Sequence, residues 1–401
     1  MTSPVLPSET ERAEIRRLRN PRTIRDCAEK MLELARGAAL AHFTVDLERL
    51  PDVAERVVRL MRARYPEVAA IPYHSRWRHF AAGGVDRAAE FERRLAQSGV
   101  DNDARLRARF DLVIASVLLD AGAGPDWSFR EAGTGCVLSR SEGLAVASFH
   151  LFMDGGLSSD PTRPLRADAD ALEAMTEDTL GRAFQVSAEN PLVGLAGRVE
   201  LLRRLGAALR AGHLADGVRY RVFDGVIPAA DVLAAVLTSL STIWPGRHEI
   251  AGVNLGDVWP HWSAGLVPFH KLSQWLTYSL LEPLEAGGIR VKDLDELTGL
   301  PEYRNGGLFV DAGVLVPRHE GVLAHEHAVD SELVVEWRAL TVALLDRTAA
   351  LVRGLTRLDA RALPLAKVLE GGTWSAGREI ARERRPDGRP PITVQSDGTV
   401  F

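Results

Sequence analysis

The stretch Asp330-Ser-Glu-Leu-Val-Val-Glu-Trp-Arg-Ala-Leu340 predicts the helix on which the fold is built. Ser331 is typical of a helix N-terminus, because its hydroxyl can accept a hydrogen bond from a free backbone amide. The apolar residues that follow recur at helical spacing and predict a stripe buried in the core. This stripe comprises Leu333, Trp337, Leu340, Leu344 and Leu345. Glu336 and Arg338 flank the tryptophan, so charge also lies near the buried side of this helix.

Helical patterns dominate the remainder of the chain. The segment Leu106–Leu119 is almost uniformly apolar from its middle onward and predicts a central helix. Asn190-Pro191 predicts the start of another helix, since asparagine caps helices and proline fits their first turn.

Strand patterns are few and short. Trp127-Ser-Phe-Arg130 and Cys136-Val-Leu-Ser139 flank a glycine turn and predict a β-hairpin, and Pro391–Phe401 predicts another. We therefore predict a mainly α-helical protein with small β-hairpin accessories. It is expected to form one domain over residues 1–401, either undivided or made of two lobes.

The composition limits the possible functions. The 401 residues are 46% hydrophobic and 26% charged with a net charge of −5, so nucleic-acid binding by the whole surface is not expected. The two cysteines, Cys27 and Cys136, exclude a disulfide framework and fit a reducing compartment. No secretory signal or apolar stretch of membrane-spanning length is apparent. The sequence thus predicts a cytoplasmic protein with neither a nucleic-acid nor a membrane partner.

Three segments between residues 267 and 345 place charged residues among groups that normally pack a core. The first site segment is Val267–Trp275, the second is Leu300–Gly307, and the third is Ser331–Leu340. Charged side chains are costly to bury unless they face one another or a ligand. We therefore expect the three segments to line one site.

The first site segment predicts a helix beginning near Pro268. Lys271, Gln274, Tyr278 and Glu282 then share one helical face. An ammonium, an amide and a phenol on one face are suited to binding a polar ligand. The alternative is an amphipathic surface helix, for which the same spacing is the ordinary pattern.

The second and third segments have alternative interpretations as well. In Glu302-Tyr-Arg-Asn-Gly-Gly307 the glycines permit positive φ and a close approach to a ligand, but Asn-Gly-Gly is also a common turn. Glu336 and Arg338 can face a ligand, or they can pair with each other or with neighbouring helices.

An upstream segment, Ile71–Gly84, combines aromatic residues with basic ones. Arg76, Arg78 or His79 can bind phosphate there, since a guanidinium matches phosphate geometry. The alternative is an aromatic packing loop with arginines facing the solvent. Asp120 ends an apolar helix and is a further candidate.

Patterns for metals and cofactors are weak. His325-Glu-His327 would point its two imidazoles apart on a helix, and the chain lacks the H-E-x-x-H motif. We accordingly predict neither a metal site nor a cofactor.

Several unbroken strings resemble one protein family. They are Ser75-Arg-Trp-Arg-His-Phe80, Leu118-Leu-Asp-Ala-Gly-Ala-Gly-Pro125, Ser139-Arg-Ser-Glu-Gly-Leu-Ala145, Leu369-Glu-Gly-Gly-Thr-Trp374 and the three site segments. With them the chain resembles, over nearly its whole length, the bacterial and fungal uracil-catabolism protein family, long known as a domain of unknown function. This resemblance implies a role in the route that degrades uracil through a ribosylated form toward urea and a three-carbon acid.

A remoter resemblance implies a reaction. Pro268–Gln274 is similar to the Phe-Tyr-Lys-Arg-Ala-Gln stretch of the queuosine-nucleotide N-glycosylases, Leu300–Arg304 to their Phe-Ala-Asp-Tyr-Arg, and Glu336–Ala339 to their Glu-Leu-Arg-Ala. That family has a helical fold related to DNA glycosylases and hydrolyses an N-ribosidic bond. Here Glu302 replaces its aspartate and Asn305-Gly-Gly replaces its Val-Pro, so the resemblance implies a shared reaction with a different recognised base.

The resemblance assigns roles to the residues of the site. Cleavage of an N-ribosidic bond develops positive charge on the ribose, and Glu302 would stabilise it or activate the water. Lys271 and Tyr303 would complete the catalytic set by holding ribose hydroxyls or a 5′-phosphate. The other predicted substrate-binding residues are Asp120, Trp127, Phe129, Arg76, Arg78, His79, Gln274, Arg304, Asn305, Glu336 and Arg338.

The leading hypothesis is thus a cofactor-free N-glycosidase that releases urea from a ribosylurea or its 5′-phosphate. One alternative is an amidohydrolase that opens the pyrimidine ring or cleaves a ureide, although such chemistry usually recruits a metal or a nucleophilic cysteine. Another is a non-catalytic nucleotide-binding protein of the pathway. The sequence does not indicate an oligomeric state.

Overall fold

Helices make up most of the ordered secondary structure. A computed structural model describes residues 7–120, 122–244 and 248–395. The helices are α1 (Glu9–Leu18), α2 (Pro21–Arg36), α3 (Leu50–Arg64), α4 (Arg76–Phe80), α5 (Arg87–Gln97), α6 (Asn102–Leu118), α7 (Arg140–Met153), α8 (Ala169–Glu173), α9 (Glu177–Ala183), α10 (Leu195–Ala211), α11 (Leu214–Arg219), α12 (Ala229–Ser239), α13 (Lys271–Ala286), α14 (Tyr303–Asp311), α15 (Gly321–Ala324), α16 (Glu332–Thr356), α17 (Leu365–Val368) and α18 (Trp374–Arg384).

The strands are short and form two-stranded sheets. They are β1 (Phe43–Val45), β2 (Ser128–Arg130), β3 (Val137–Ser139), β4 (Val226–Pro228), β5 (Glu249–Ile250), β6 (Val253–Asn254), β7 (Val258–His261), β8 (Gly265–Pro268), β9 (Arg290–Lys292), β10 (Leu315–Pro317), β11 (Glu326–His327) and β12 (Thr393–Val394). Antiparallel pairs join β1 to β10, β2 to β3, β5 to β6 and β7 to β8, whereas β4–β9 and β11–β12 are parallel. The predicted mainly α-helical fold with small hairpins is confirmed.

The chain forms two compact units. The first unit contains the described residues of Met1–His74, Gly246–Trp275 and Asp293–Phe401, and the second contains those of Ser75–Pro245 and Leu276–Lys292. Within the described ranges, no helix combines the length and the apolar character needed to cross a membrane.

Helix α16 organises the core of the first unit, as its sequence predicts. The Ser331 hydroxyl caps it by accepting a hydrogen bond from the Val334 amide, and the helix ends at Arg357, whose φ is +57°. All five residues of the predicted stripe are buried. Helices α2, α3 and α14 and strand β7 pack against α16. Each large apolar side chain buried in this way stabilises the unit by roughly 1.5–3 kcal/mol.

Helix α6 occupies the corresponding place in the second unit. Asp101 caps it, and its side chains from Phe110 to Leu118 are buried. Helices α4, α7, α10 and α11 pack against it. The predicted central helix over Leu106–Leu119 is therefore confirmed, with its start one turn earlier.

Two sequence predictions about helix starts are wrong. Helix α10 begins at Leu195 and not at Pro191, because Gly194 adopts a left-handed conformation that is incompatible with an α-helix running through it. The Asn190 side chain accepts a hydrogen bond from the Ser128 amide instead of capping a helix. Likewise Pro268 ends strand β8, so α13 begins three residues later than predicted.

The C-terminal segment does not form the predicted hairpin among its described residues. Thr393–Val394 pairs in parallel with Glu326–His327, and the remainder of the predicted hairpin, residues 396–401, lies outside the described residues. The His325-Glu-His327 stretch therefore contributes to a strand rather than to a helix.

Gly306 and Gly307 lie inside α14 without positive φ, so neither a turn nor a left-handed approach to a ligand accounts for them. A Cβ on Gly306 would lie 2.7 Å from the Trp337 indole, and one on Gly307 would lie 2.9 Å from Pro391. The turn interpretation is wrong, because close packing against Trp337 of α16 at Gly306 and against Pro391 at Gly307 requires both positions to lack side chains.

We expect Gly306→Ala to destabilise the protein by about 1–3 kcal/mol, because the added methyl overlaps the rigid indole of a buried tryptophan. Urea unfolding monitored by circular dichroism measures this loss. Gly354→Ala on α16 is the matched control, because its Cβ meets nothing within 4 Å. Helix propensity predicts that this control is stabilised by up to about 1 kcal/mol. Equal stability of the two variants would contradict the packing argument.

Candidate functional site

The β7–β8 hairpin positions Lys271 in the first unit. The hairpin ends at Pro268, and His270 then takes a φ of +48°, an unfavourable conformation for a non-glycine residue. The buried His270 ring is bonded at 2.9 Å to the Leu18 carbonyl. Lys271 follows as the first residue of α13, with its amide donating to the Asp257 carboxylate at 2.9 Å. Strained backbone of this kind often marks a functional site.

Asp257 and Arg338 form a buried ion pair beneath this turn. Arg338 donates two hydrogen bonds, at 2.8 and 2.7 Å, one to each carboxylate oxygen of Asp257. Its guanidinium also lies 4.1 Å from the centre of the Phe269 ring. Burial raises the pKa of the Asp257 carboxyl, but the charge and hydrogen bonds of Arg338 outweigh it and leave the pKa below its usual range. The aspartate is therefore ionised at neutral pH.

Gln274 connects the start of α13 to the segment that leads into the second site segment. Its amide nitrogen donates to the Phe269 carbonyl at 3.0 Å and to the Thr298 hydroxyl at 2.7 Å. Its carbonyl oxygen accepts the Thr298 amide at 2.8 Å. Gln274 is fully buried, so the structure gives it a positioning role, and its predicted contact with substrate stays a prediction.

Glu302 lies at the N-terminus of α14 as its capping residue. Its carboxylate accepts hydrogen bonds from the amides of Arg304 and Asn305, at 2.7 and 2.6 Å. The side chain is buried, and burial raises the pKa of this carboxyl above its usual range. The two amide hydrogen bonds oppose that rise without cancelling it.

Two basic side chains of the same unit lower the pKa of Glu302. The charges of Lys271 and His74 both lower its pKa, so these side chains lie within electrostatic range of the carboxylate. That Lys271 and Glu302 face one substrate stays a prediction. The sequence did not single out His74.

Glu370 orients His74 from a π-helical turn over Leu369–Thr373. The His74 Nδ1 atom lies 2.9 Å from one oxygen of Glu370, and the Tyr65 hydroxyl donates to the other at 3.2 Å. A π-helical turn is rare and often occurs at functional sites. The Gly371-Gly372 pair permits it, because a Cβ at either position would overlap α3 or Ile71.

Arg304 and Asn305 of the second site segment donate hydrogen bonds to backbone carbonyls. Arg304 donates to the Gly388 carbonyl at 2.7 Å and lies over the Tyr303 ring at 5.0 Å. The fully buried Asn305 donates to the Leu300 carbonyl at 3.1 Å. Tyr303 is 36% exposed and can face a ligand. Substrate contacts by Arg304 and Asn305 stay predictions.

Glu336 and Arg338 do not pair with each other. The fully buried Glu336 carboxylate accepts hydrogen bonds from the amides of Ala41 and His42, both at 3.0 Å, whereas Arg338 pairs with Asp257. The two residues therefore serve different clusters, although only one position separates them in sequence.

The predicted phosphate-binding residues lie in the second unit. Arg76 is fully buried and donates to the Ser116 hydroxyl at 2.7 Å and to the Asp120 carboxylate at 2.6 Å. Burial lowers the pKa of Arg76, and Asp120 opposes that effect. Arg78 pairs with Glu282, and His79 lies 3.3 Å from Arg76. The structure thus brings Arg76, His79 and Asp120 together.

Phe129 lies in strand β2 of the predicted β2–β3 hairpin, and Trp127 immediately precedes that strand. The buried Trp127 indole donates to the Phe184 carbonyl at 3.0 Å, and Phe129 stacks on His150 with a ring separation of 6.0 Å. These contacts give both residues a packing role, and base recognition by them stays a prediction.

Large cavities occur away from Glu302. One of about 510 Å³ in the second unit is lined in part by Asp111 and His213, and one of about 750 Å³ in the first unit by Arg385 and Glu326. The residues that line them include neither Glu302 nor Lys271. The candidate site is therefore described from its buried charges.

Glu302, Lys271 and His74 together define a polar site in a helical protein, in which a carboxylate of raised pKa is held by a helix N-terminus. The chain belongs to the family described as "Protein of unknown function (DUF1688)", which matches residues 17–401. It is similar to "Protein urg3" of Schizosaccharomyces pombe, with 42% identity over 389 residues, 94% of this chain and 96% of that protein.

A second relative bears on the pathway. The chain is 38% identical over 408 residues to "Uracil catabolism protein 4" of Lachancea kluyveri, which covers 90% of this chain and 92% of that protein. The resemblance to the uracil-catabolism family is therefore confirmed. The remoter resemblance to N-glycosylases stays a prediction.

We expect Asp257→Asn to destabilise the protein by about 3–5 kcal/mol at pH 7, because it leaves the Arg338 guanidinium buried without a counter-charge. Since the folded-state pKa of Asp257 is lowered, its contribution is complete above about pH 3.9 and is lost as the pH falls through the folded pKa. Urea unfolding at neutral and acidic pH measures both effects.

The matched control is Asp170→Asn, which removes an exposed pair with Arg210. This variant should lose at most about 1 kcal/mol. A loss from Asp257→Asn no larger than that of the control, or one that persists unchanged in acid, would contradict the assignment.

Proposed function

We propose that this protein acts in uracil catabolism and hydrolyses the N-ribosidic bond of a ribosylurea or its 5′-phosphate, releasing urea. The observation that carries this proposal is the buried Glu302 carboxylate, whose raised pKa is opposed by Lys271 and His74. The name of the Lachancea relative supports the pathway. The order of Lys271, Glu302 and Tyr303 supports the reaction.

The reaction breaks the bond between C1′ and nitrogen and joins a water oxygen to C1′. Positive charge develops on the ribose as the bond breaks, and the Glu302 carboxylate stabilises it. The same carboxylate accepts a proton from the attacking water, and the departing urea nitrogen takes up a proton from solvent. Glu302 then returns its proton to solvent, so one water molecule is consumed and the carboxylate is regenerated. The products are urea and the free sugar or its 5′-phosphate.

The hydrogen bonds of Glu302 leave capacity for this role. Each carboxylate oxygen accepts one backbone amide, and an ionised carboxylate offers about four lone-pair directions. The remaining directions can accept a water molecule or a ribose hydroxyl. Lys271 supplies positive charge for a 5′-phosphate or for the leaving group, and Tyr303 supplies a hydroxyl for the ribose.

Glu302→Gln should lower the kcat for urea release by about 10²–10⁴-fold, because the amide cannot act as a base or stabilise positive charge. The assay incubates purified protein with ribosylurea, uridine and their 5′-phosphates and identifies the products by mass spectrometry. Glu320→Gln is the matched control, because this exposed glutamate of the same unit caps nothing with its side chain.

Glu302 also caps α14, so the assay must separate catalysis from folding. Glu302→Asp keeps the charge and introduces a residue favoured at N-caps, and it should retain a folded protein with partial activity. Wild-type kcat in folded Glu302→Gln would overturn the catalytic assignment. Release of ammonia in place of urea would favour the amidohydrolase, and binding without turnover would favour a non-catalytic role.

The pH dependence of urea release provides a second test of Glu302. A carboxylate base is inactive when protonated, so kcat should fall with acidity through a pKa above the ordinary glutamate range. Lys271→Met should move this acid limb to higher pH, because the ammonium lowers the pKa of Glu302. Lys271→Arg keeps the charge and should leave the limb near its wild-type position. An acid limb that is the same in all three proteins would rule out the coupling.

A further inference from the structure

Three ionisable side chains converge where strand β7 meets the start of α16. Glu332 and Glu336 lie one helical turn apart on the same face of α16, and His261 is the last residue of β7. One donor atom from each residue lies within 4.8 Å of the other two. The cluster belongs entirely to the first unit and is separate from Glu302 and its partners.

The cluster contains buried polar atoms that the protein leaves unsatisfied. The His261 side chain is 0% exposed, and neither its Nε2 atom nor the Oε1 atom of Glu332 has a hydrogen-bond partner. Glu336 is also 0% exposed, and among the described residues no Lys or Arg pairs with it. Two carboxylates one turn apart repel each other, and unpaired buried charge is costly. A cation at this point removes both costs.

The separations within the cluster fit the ligands of a single ion. Nε2 of His261 lies 3.5 Å from Oε1 of Glu332 and 3.8 Å from Oε1 of Glu336. Ligand atoms about 2.0–2.2 Å from a tetrahedral ion lie roughly 3.4 Å apart. The observed separations therefore leave room for an ion between the donors.

Supporting hydrogen bonds hold the donors in place, as is usual around metal sites. The amides of Ala41 and His42 hold the Glu336 carboxylate at 3.0 Å each. The Ser263 hydroxyl lies 3.0 Å from Nδ1 of His261 and can accept a hydrogen bond from a protonated Nδ1, which leaves the lone pair of Nε2 free to bind a metal. This tautomer gives up the longer contact, 3.3 Å, from the Ser263 amide to Nδ1.

We propose that His261, Glu332 and Glu336 bind a divalent transition-metal ion, with Zn²⁺ preferred and Mn²⁺ as the main competitor. One imidazole nitrogen and two carboxylate oxygens suit these ions, whereas Mg²⁺ and Ca²⁺ are bound by oxygen ligands. The ion balances the two carboxylates and connects α16, β7 and the segment that contains Ala41. This inference does not rest on the proposed reaction.

The test uses full-length protein stripped of metal with EDTA and freed of the chelator. Isothermal titration with Zn²⁺, Mn²⁺ and Mg²⁺ measures stoichiometry and affinity, and thermal unfolding measures the associated stabilisation. We expect one Zn²⁺ per chain, a Tm raised by Zn²⁺, and no saturable binding of Mg²⁺. His261→Ala and Glu332→Gln should each weaken Zn²⁺ binding on the order of 100-fold or more and abolish the Tm increase.

The matched controls are His325→Ala and Glu326→Gln, which change exposed residues of the same types in the same unit and should bind Zn²⁺ like the wild type. Glu332 is partly exposed in the first turn of α16, so Glu332→Gln tests the site even if His261→Ala fails to fold. Equal Zn²⁺ affinity in wild type and Glu332→Gln would overturn the proposal. So would a wild-type protein without saturable Zn²⁺ or Mn²⁺ binding, in which the three side chains would share a proton instead.

Discussion

The ion pair between Arg338 and Asp257 is the interaction on which the rest of the candidate site depends. Arg338 extends from the central helix α16, and Asp257 immediately precedes the β7–β8 hairpin, so the pair joins the core of the first unit to the element that carries Lys271. The same carboxylate accepts the Lys271 amide and thereby fixes the start of α13. A buried ion pair offsets its desolvation cost only when its hydrogen-bond geometry is good, and here each carboxylate oxygen of Asp257 accepts a hydrogen bond from Arg338.

Other buried polar groups fix the position of Glu302 relative to this ion pair. Gln274 of α13 hydrogen-bonds to the hydroxyl and the amide of Thr298. Four residues further along the chain is Glu302, whose carboxylate caps α14. The hydrogen bonds between Gln274 and Thr298 join fully buried groups, which allows few alternative arrangements. Charge near a reacting centre is most effective when it is held in advance in this way.

Local patterns predicted the parts of the molecule that depend on local physics. The sequence predicts helices α16 and α6, because a stripe or run of apolar residues at helical spacing is compatible with few structures other than a buried helix. The turn interpretation of the glycines after Asn305 is wrong, since packing of Gly306 against Trp337 and of Gly307 against Pro391 outweighs the local preference of Asn-Gly-Gly for turns. His74, Glu370 and His261 were not found, because their partners are remote in sequence and only the folded chain brings them together.

Glu302 and Glu336 are two buried carboxylates of one unit that are held in the same way but have different counter-charges. Both accept a pair of consecutive backbone amides, from Arg304 and Asn305 in one case and from Ala41 and His42 in the other. Glu302 also has the charge of Lys271 within electrostatic range, yet burial still raises its pKa, a balance suited to a group that exchanges a proton. Glu336 faces a second carboxylate and a histidine, and two amides cannot offset a doubled negative charge. That difference in counter-charge favours a reacting group at the first site and a bound cation at the second.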